Sequence, residues 1–377
     1  MTPAEGSQKE RPRALSVVLA GGGTAGHVSP LLATAEALLR RGPATRITVL
    51  GTAEGLEARL VPEAGLELRV LPRVPLPRRA SMDLLRVPGR LLGAVGVVAR
   101  VLAEVDADVV VGFGGYVSTP AYLAARRAGV PVVVHEQNAL PGLANRVGAR
   151  LTPWVATTVA GTPLRGARHL GLPLRAAVVG LDRAALRDRA RRDLGLDADR
   201  TTLLVTGGSL GAQRLNEVLP AAGADLAAAG VQVLHVSGRG KQVRAPRRAE
   251  GEAPYVVVPY VDRMDLAYAA CDAVLCRSGA GTVGELSALG IPAAYVPLPV
   301  GNGEQRRNAE PLVAAGGGLL VADADLSPAW VRDTLLPLLG DPARLAAMAV
   351  AARAHGVLDA ADRLADLVVR AARGATP

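Results

Sequence analysis

Residues 15–30 read LSVVLAGGGTAGHVSP, and residues 202–212 read TLLVTGGSLGA. Each is a short apolar run, a glycine-rich turn and the start of a helix. That succession opens a parallel βαβ unit, and finding it twice in 377 residues predicts an α/β protein of two Rossmann-like domains. Further apolar runs extend the pattern. They place strands at 15–20, 47–51, 66–71, 108–113, 130–135 and 154–157, then at 202–206, 231–236, 255–258, 273–276, 293–296 and 318–321. Helical periodicity fits 30–41, 83–104, 216–229 and 329–339. Residues 160–175, AGTPLRGARHLGLPLR, have glycines, prolines and no strong period, and are the expected linker. Ligands of such sheets lie beyond the carboxyl ends of the strands, so a substrate is expected in the cleft between the domains.

Composition narrows the partners. The net charge is +9, and the cations are nearly all arginine, Lys9 and Lys241 being the only lysines. That balance favours anions: phosphorylated ligands, nucleic acid or an acidic membrane surface. With two Trp, six Tyr and one Phe the chain lacks stacking platforms for single strands, so nucleic acid is not expected. Cys271 and Cys276 flank a buried strand and read as core thiols rather than a zinc site or a disulfide. The first residues, MTPAEGSQKERPRA, are polar, and the longest uncharged runs, 109–125 and 286–303, are interrupted by proline and glycine. Neither a secretory signal nor a spanning helix is predicted, and the expected compartment is the cytosol.

The chemistry concentrates in glycine loops. Gly21, Gly23 and Gly26 satisfy G-x-G-x-x-G, with His27 immediately after. Turns without Cβ atoms let backbone N–H groups approach an anion at a helix N-terminus; a tight turn binding nothing is the alternative. A dinucleotide site would need a carboxylate at the end of the second strand, where Gly51 and Thr52 stand. GFGGYVS at 112–118 supplies a second loop, either for another phosphate or for close packing beneath a helix. VHEQN at 134–138 offers His135, Glu136 and Asn138 as polar cleft groups or as a structural cluster. GGSLG at 207–211 fits a phosphate loop or a nucleophile elbow, but no HGGG-type oxyanion segment accompanies it.

CRSGAGTVGE at 276–285 ends a strand at Cys276 and turns through small residues. A helix expected from Thr282 would aim free N–H groups at the cleft, with Glu285 one turn in, placed for a ribose diol. Three D-x-D pairs, 106/108, 197/199 and 323/325, read as strand-edge or solvated residues rather than metal ligands. Residues 69–100 carry seven arginines against one acid, Asp83, interleaved with leucine and valine. They form either an interfacial basic-hydrophobic surface or a core helix with a solvated arginine face.

In this order the segments resemble the MurG family of bacterial cell-wall N-acetylglucosaminyltransferases. The resemblance runs through GGGTAGHVSP, LGTAEGLEARLVPEAG, DVVVGFGGYVS, HEQNALPGLANRVGA, GLPLR, GGSLGAQRLN, YVDRM, CRSGAGTVGE and GNGEQRRNA. It implies the GT-B fold, two Rossmann-like domains facing across a deep cleft. The implied divisions are 14–174 for the acceptor and membrane side, 175–356 for the UDP-sugar, and a helix over 357–377 returning to the first domain. It also implies transfer of N-acetylglucosamine from UDP-N-acetylglucosamine to the 4-hydroxyl of the N-acetylmuramyl unit of lipid I. Inversion at the anomeric carbon, no cofactor and no metal, and peripheral association with the cytoplasmic face of the membrane go with it. Other cell-wall synthesis or division proteins are possible partners.

Carried over by motif, the uracil falls to the backbone at Val261 and the ribose to Glu285. The diphosphate falls to Arg175, Ser209 and the turn of Ala280, Gly281, Thr282, Val283 and Gly284. Gln305 would read sugar hydroxyls, with Asn138, Thr24, Ala25 and Gly26 facing the sugar from the other domain. Gly22, Gly23, Gly114 and Gly115 would line the acceptor diphosphate loops. His27, an imidazole that titrates near neutrality, is the candidate base, or else an orienting group. Leu210, Leu172 and Glu304 depart from the commonest family pattern, and Glu304 bears on sugar recognition. A UDP-N-acetylglucosamine 2-epimerase of the same fold and a non-catalytic scaffold are the alternatives.

Overall fold

The computed structural model describes residues 13–72, 83–208, 212–247 and 249–376. Ser209 and Leu210, and residues 73–82 of the basic stretch, lie outside the described residues.

The first half alternates strands and helices: β1 Ser16–Gly21, α1 Ala25–Arg41, β2 Arg46–Gly51, α2 Glu57–Glu63, β3 Glu67–Val70, α3 Asp83–Glu104, β4 Val109–Gly114, α4 Ser118–Ala128, β5 Val132–Glu136, α5 Leu143–Leu151, β6 Trp154–Thr157 and β7 Ala167–His169. The strands form one parallel sheet in the order β3-β2-β1-β4-β5-β6-β7. After α6 Ala176–Val179 and α7 Arg183–Asp193, the second half repeats the plan. It runs through β8 Thr202–Thr206, α8 Gln213–Ala221, α9 Gly223–Ala228, β9 Gln232–Val236, β10 Tyr255–Val258, α10 Met264–Ala270, β11 Ala273–Cys276, α11 Ala280–Leu289, β12 Ala293–Tyr295, α12 Glu304–Ala314 and β13 Gly318–Leu320. Its sheet is also parallel, in the order β10-β9-β8-β11-β12-β13. α13 Pro328–Trp330, a π-helical turn Val331–Leu335, α14 Leu336–Leu339, α15 Pro342–His355 and α16 Ala360–Ala372 complete the chain.

Both sheets are covered on two faces, so their central strands are buried throughout and appear in sequence as unbroken apolar runs. One core of the first domain packs α1 and α16 on the sheet, with Leu364, Leu367, Val368 and Ala371 of α16 buried. The other packs α3 and α4 on the opposite face. Arg40 and Arg41 of α1 pair with Asp362 and Asp366 of α16, at exposed positions worth little beside the apolar contact. Among the described residues no single helix is long and apolar enough to cross a membrane.

Some elements differ from expectation. The linker contains β7, a three-residue strand beside β6 that carries no apolar run to announce it. The helix expected over 216–229 breaks at Ala222 into α8 and α9. The one expected over 329–339 holds the π-helical turn. α1 begins at Ala25 rather than residue 30, and α11 begins at Ala280 rather than Thr282.

Candidate active site

Strand order decides where the motifs meet. The first sheet reverses direction of winding between β1 and β4, the second between β8 and β11. Such switch points leave a crevice at the carboxyl ends of the strands. Each expected loop follows one of these four strands. In the first domain the two loops touch: a Cβ at Gly115 would stand 2.7 Å from the Gly22 carbonyl oxygen, and Gly115 has φ +80°.

His27 lies in the first turn of α1, half-buried between those loops. Its Nδ1 is 3.0 Å from the Gly22 carbonyl oxygen and 3.3 Å from Thr24 Oγ1. A carbonyl only accepts, so Nδ1 carries the proton and Nε2 keeps its lone pair. Nε2 stands over Gly114, where a Cβ would come within 3.1 Å. Burial pushes the His27 pKa below the usual histidine range; the Gly22 hydrogen bond and the charges of Glu304 and Glu57 oppose that. Thr24, Ala25 and Gly26 form the N-terminus of α1, and no side chain caps it. Their amides face outward.

Two expected phosphate donors are engaged elsewhere. The Gly23 N–H donates to Glu57 Oε2 (2.8 Å), and the Gly114 N–H donates to Ser118 Oγ (3.0 Å). Both amides are satisfied within the protein, so in this arrangement other groups of the two loops face an incoming anion. Gly22 is likewise a packing position, because a Cβ there would lie 2.3 Å from Glu57 Oε1.

VHEQN resolves mainly into structure. Glu136, buried, accepts from the N–H groups of Asn138 and Gly142 and from Asn145 Nδ2, all at 2.9 Å. Tyr122 donates to Asn145 Oδ1 (2.7 Å), and His135 bonds the Gly171 carbonyl oxygen (3.1 Å). Burial raises Glu136 and lowers His135 to about 4. Only Asn138 reaches the cleft, where it meets the second domain.

That meeting is made by Asn308 of α12, a buried residue the sequence did not single out. Its Oδ1 accepts from the Ala139 N–H (2.8 Å), and its Nδ2 donates to Asn138 Oδ1 (3.1 Å) and the Ser278 carbonyl oxygen (3.4 Å). Glu304 and Gln305 stand at the start of the same helix. Gln305 Oε1 accepts from the Leu298 N–H (3.0 Å), which leaves its amide nitrogen for a ligand. Glu304 is raised by desolvation and by Glu136, while His27 opposes the shift. Glu304 of the second domain and His27 of the first thus act on one another across the cleft, while Glu136 acts on Glu304 from within its buried network.

On the second domain Glu285 accepts from Tyr268 Oη (2.7 Å). Burial raises its pKa, against the Tyr268 bond and the Arg175 charge. Arg175 is exposed at the start of α6, and Val261 is half-buried after β10. Gly279 caps α11 without a side-chain bond, so the amides of Ala280, Gly281 and Thr282 lack helical carbonyls. Val283 and Gly284 instead face the protein. Val283 is buried in the domain core with its N–H on the Gly279 carbonyl, and a Cβ on Gly284 would meet Leu172 at 2.6 Å. Leu172, a departure from the family pattern, is thus a packing residue of the linker.

Among the described residues no three His, Cys, Asp or Glu groups cluster to hold a metal ion. Asp323, expected in a solvated turn, pairs instead with the buried Arg277.

Residues 17–160 match the N-terminal domain of glycosyltransferase family 28, and residues 202–364 match its C-terminal domain. The chain belongs to glycosyltransferase family 28. A family relative from Nocardioides is 58% identical over 96% of this chain and 100% of its own length. One from Streptomyces avermitilis is 56% identical over 95% and 98%. Both are named UDP-N-acetylglucosamine--N-acetylmuramyl-(pentapeptide) pyrophosphoryl-undecaprenol N-acetylglucosamine transferase. The crystal structure of Acinetobacter baumannii MurG superposes with a TM-score of 0.73 at 29% identity, covering 94% of this chain and 99% of that one. A Neisseria meningitidis UDP-GlcNAc 2-epimerase has a TM-score of 0.68 at 13% identity over 94% of this chain and 100% of its own, a likeness of fold alone. The family's two-domain architecture and its transferase class are those expected from the nine motifs.

Proposed function

We propose that this chain transfers N-acetylglucosamine from UDP-N-acetylglucosamine to the N-acetylmuramyl unit of lipid I, forming lipid II for peptidoglycan. The observation that carries the assignment of roles is the facing of His27 and the α12 N-terminus across one cleft bridged by Asn308. The relatives' name supplies the substrate pair.

The acceptor 4-hydroxyl attacks the anomeric carbon while His27 Nε2 takes its proton, and the bond to the UDP oxygen breaks on the opposite face, inverting the centre. Arg175 and the free amides of Ala280, Gly281 and Thr282 face the charge that develops on the departing diphosphate. Ser209 belongs to the same group by motif. Glu285 holds the ribose, Val261 the uracil, and Gln305 and Asn138 the sugar. On the acceptor side, Gly115 with the α1 start at Thr24, Ala25 and Gly26 replaces the engaged amides.

The second part of the proposal is peripheral attachment to the cytoplasmic face of the membrane through the first domain. It is supported by the basic stretch and by the exposed apolar residues Val70, Leu92 and Leu143. The test is transfer of labelled sugar from UDP-N-acetylglucosamine to purified lipid I, with and without EDTA. Transfer in both, and a loss of about 100-fold or more in His27→Ala, is expected. Product formed without acceptor would instead indicate an epimerase.

A further inference from the structure

Glu57 is the most completely enclosed carboxylate near the cleft. It is fully buried, and among the described residues no cation pairs with it. Three glycines make its room: a Cβ at Gly22, Gly51 or Gly55 would lie 2.3, 2.4 or 2.1 Å from its side chain. Oε1 accepts from the Thr52 N–H (2.8 Å) and Thr52 Oγ1 (2.9 Å), and Oε2 accepts from the Gly23 N–H (2.8 Å). A buried charge is costly unless such bonds satisfy it. Holding a turn in place would need only a neutral acceptor.

The Gly23 N–H is one end of the peptide unit whose other end, the Gly22 carbonyl, accepts from His27 Nδ1. In a planar trans peptide these two groups point in opposite directions, so Glu57, the peptide and the imidazole lie in series. We infer that Glu57 is a positioning residue for the transfer reaction, acting on His27 through the Gly22–Gly23 peptide. This inference rests on His27 being the base. The carboxylate fixes the peptide plane, and its charge polarises the amide so that the carbonyl becomes a stronger acceptor. The carbonyl in turn holds the Nδ1–H tautomer and stabilises the imidazolium formed when Nε2 takes the hydroxyl proton. Glu57 itself takes no proton. The arrangement does the work of the aspartate in a Ser-His-Asp triad with a peptide bond interposed. Gly23 can turn this way because its φ is +86°, a conformation that strains any other residue.

The charges acting on His27 among the described residues are Glu57 from α2 and Glu304 from α12, both favouring the imidazolium. Removing one therefore moves the acid limb of kcat/KM to lower pH. Glu57→Gln keeps the volume but loses the charge. Expected for it are a fall in kcat of about tenfold or more with KM for UDP-N-acetylglucosamine within about twofold, a downward shift of the acid limb, and no further loss when added to His27→Ala. An unchanged kcat and pH profile, with only a lowered Tm, would leave Glu57 a purely structural residue and overturn the inference. Nitrogen NMR of His27 in the wild-type enzyme tests it without any variant. A proton on Nδ1 is expected, and one on Nε2 of the neutral ring would overturn it. If His27→Ala retains wild-type turnover, the base assignment fails. If His27→Ala is inactive while Glu57→Gln turns over normally, the relay alone fails.

Discussion

Truncating Asn308 to alanine should weaken the closed arrangement of the two domains while leaving each domain folded. The side chain is 3% exposed and makes two good bonds across the cleft, from Ala139 N–H at 2.8 Å and to Asn138 Oδ1 at 3.1 Å. A third, to Ser278 within its own domain, is longer at 3.4 Å. Each net bond contributes about 1 kcal/mol, so the closed state loses roughly 2–3 kcal/mol. If that state is the one that turns over, kcat/KM falls roughly 30- to 150-fold. Tm should move little, because the apolar cores of both domains are untouched and alanine suits the interior of α12. Initial rates of labelled-sugar transfer at low donor concentration, beside a thermal melt, give both numbers. A cycle with Asn138→Ala should show a coupling of about 1 kcal/mol, the direct bond between them. A variant within threefold of wild type in kcat/KM would refute the role of this bridge, and so would a loss explained by a proportionate fall in Tm.

Three other outcomes follow from the same geometry. Glu304 raises the pKa of His27, so Glu304→Gln should extend activity to lower pH; a kcat/KM profile whose acid limb stays put contradicts it. His135 is fully buried with a pKa lowered to about 4 by desolvation, against about 6.5 when unfolded. The unfolded chain binds the extra proton between those values. The stability His135 contributes is therefore complete above pH ~6.5 and declines as pH falls towards 4, by about 3 kcal/mol at most. Denaturant unfolding from pH 7 to 4 should show this slope, and a His135→Gln variant that keeps the same slope would exclude His135 as its source. At Gly356, where the chain crosses back to the first domain, a Cβ would lie 2.5 Å from Ala288 Cα, a backbone atom that cannot swing aside. Gly356→Ala should cost about 1–3 kcal/mol, and an unchanged melt would show that the crossing yields.

The sheets were legible because strands buried on both faces leave short, unbroken apolar runs, as in 108–113 against β4 and 202–206 against β8. The helices were harder. α7, RAALRDRARRD, is so polar that no apolar stripe marks it, yet its Arg191 is wholly buried, bonding the Ala270 and Ala198 carbonyls and Asp272. α8 and α9 merged in sequence because the period runs on through the break at Ala222. Within the candidate site, glycine spacing marked loops that the fold does gather at the strand ends, but it could not say what filled them. Gly22 and Gly51 look like ligand cradles in one dimension, and in three they surround Glu57.

From the order of its residues this chain determined two parallel sheets, the four loops at their carboxyl ends and an imidazole beside the first. Those follow from local rules: apolar runs make buried strands, and glycine permits tight turns before helices. The tertiary structure alone decided which amides are free, that Glu57 rather than Glu54 or Glu63 lies beneath the glycine loop, and that Asn308 meets Asn138. Such facts depend on distances between residues as far apart as 170 positions, which chain order does not encode until packing fixes them.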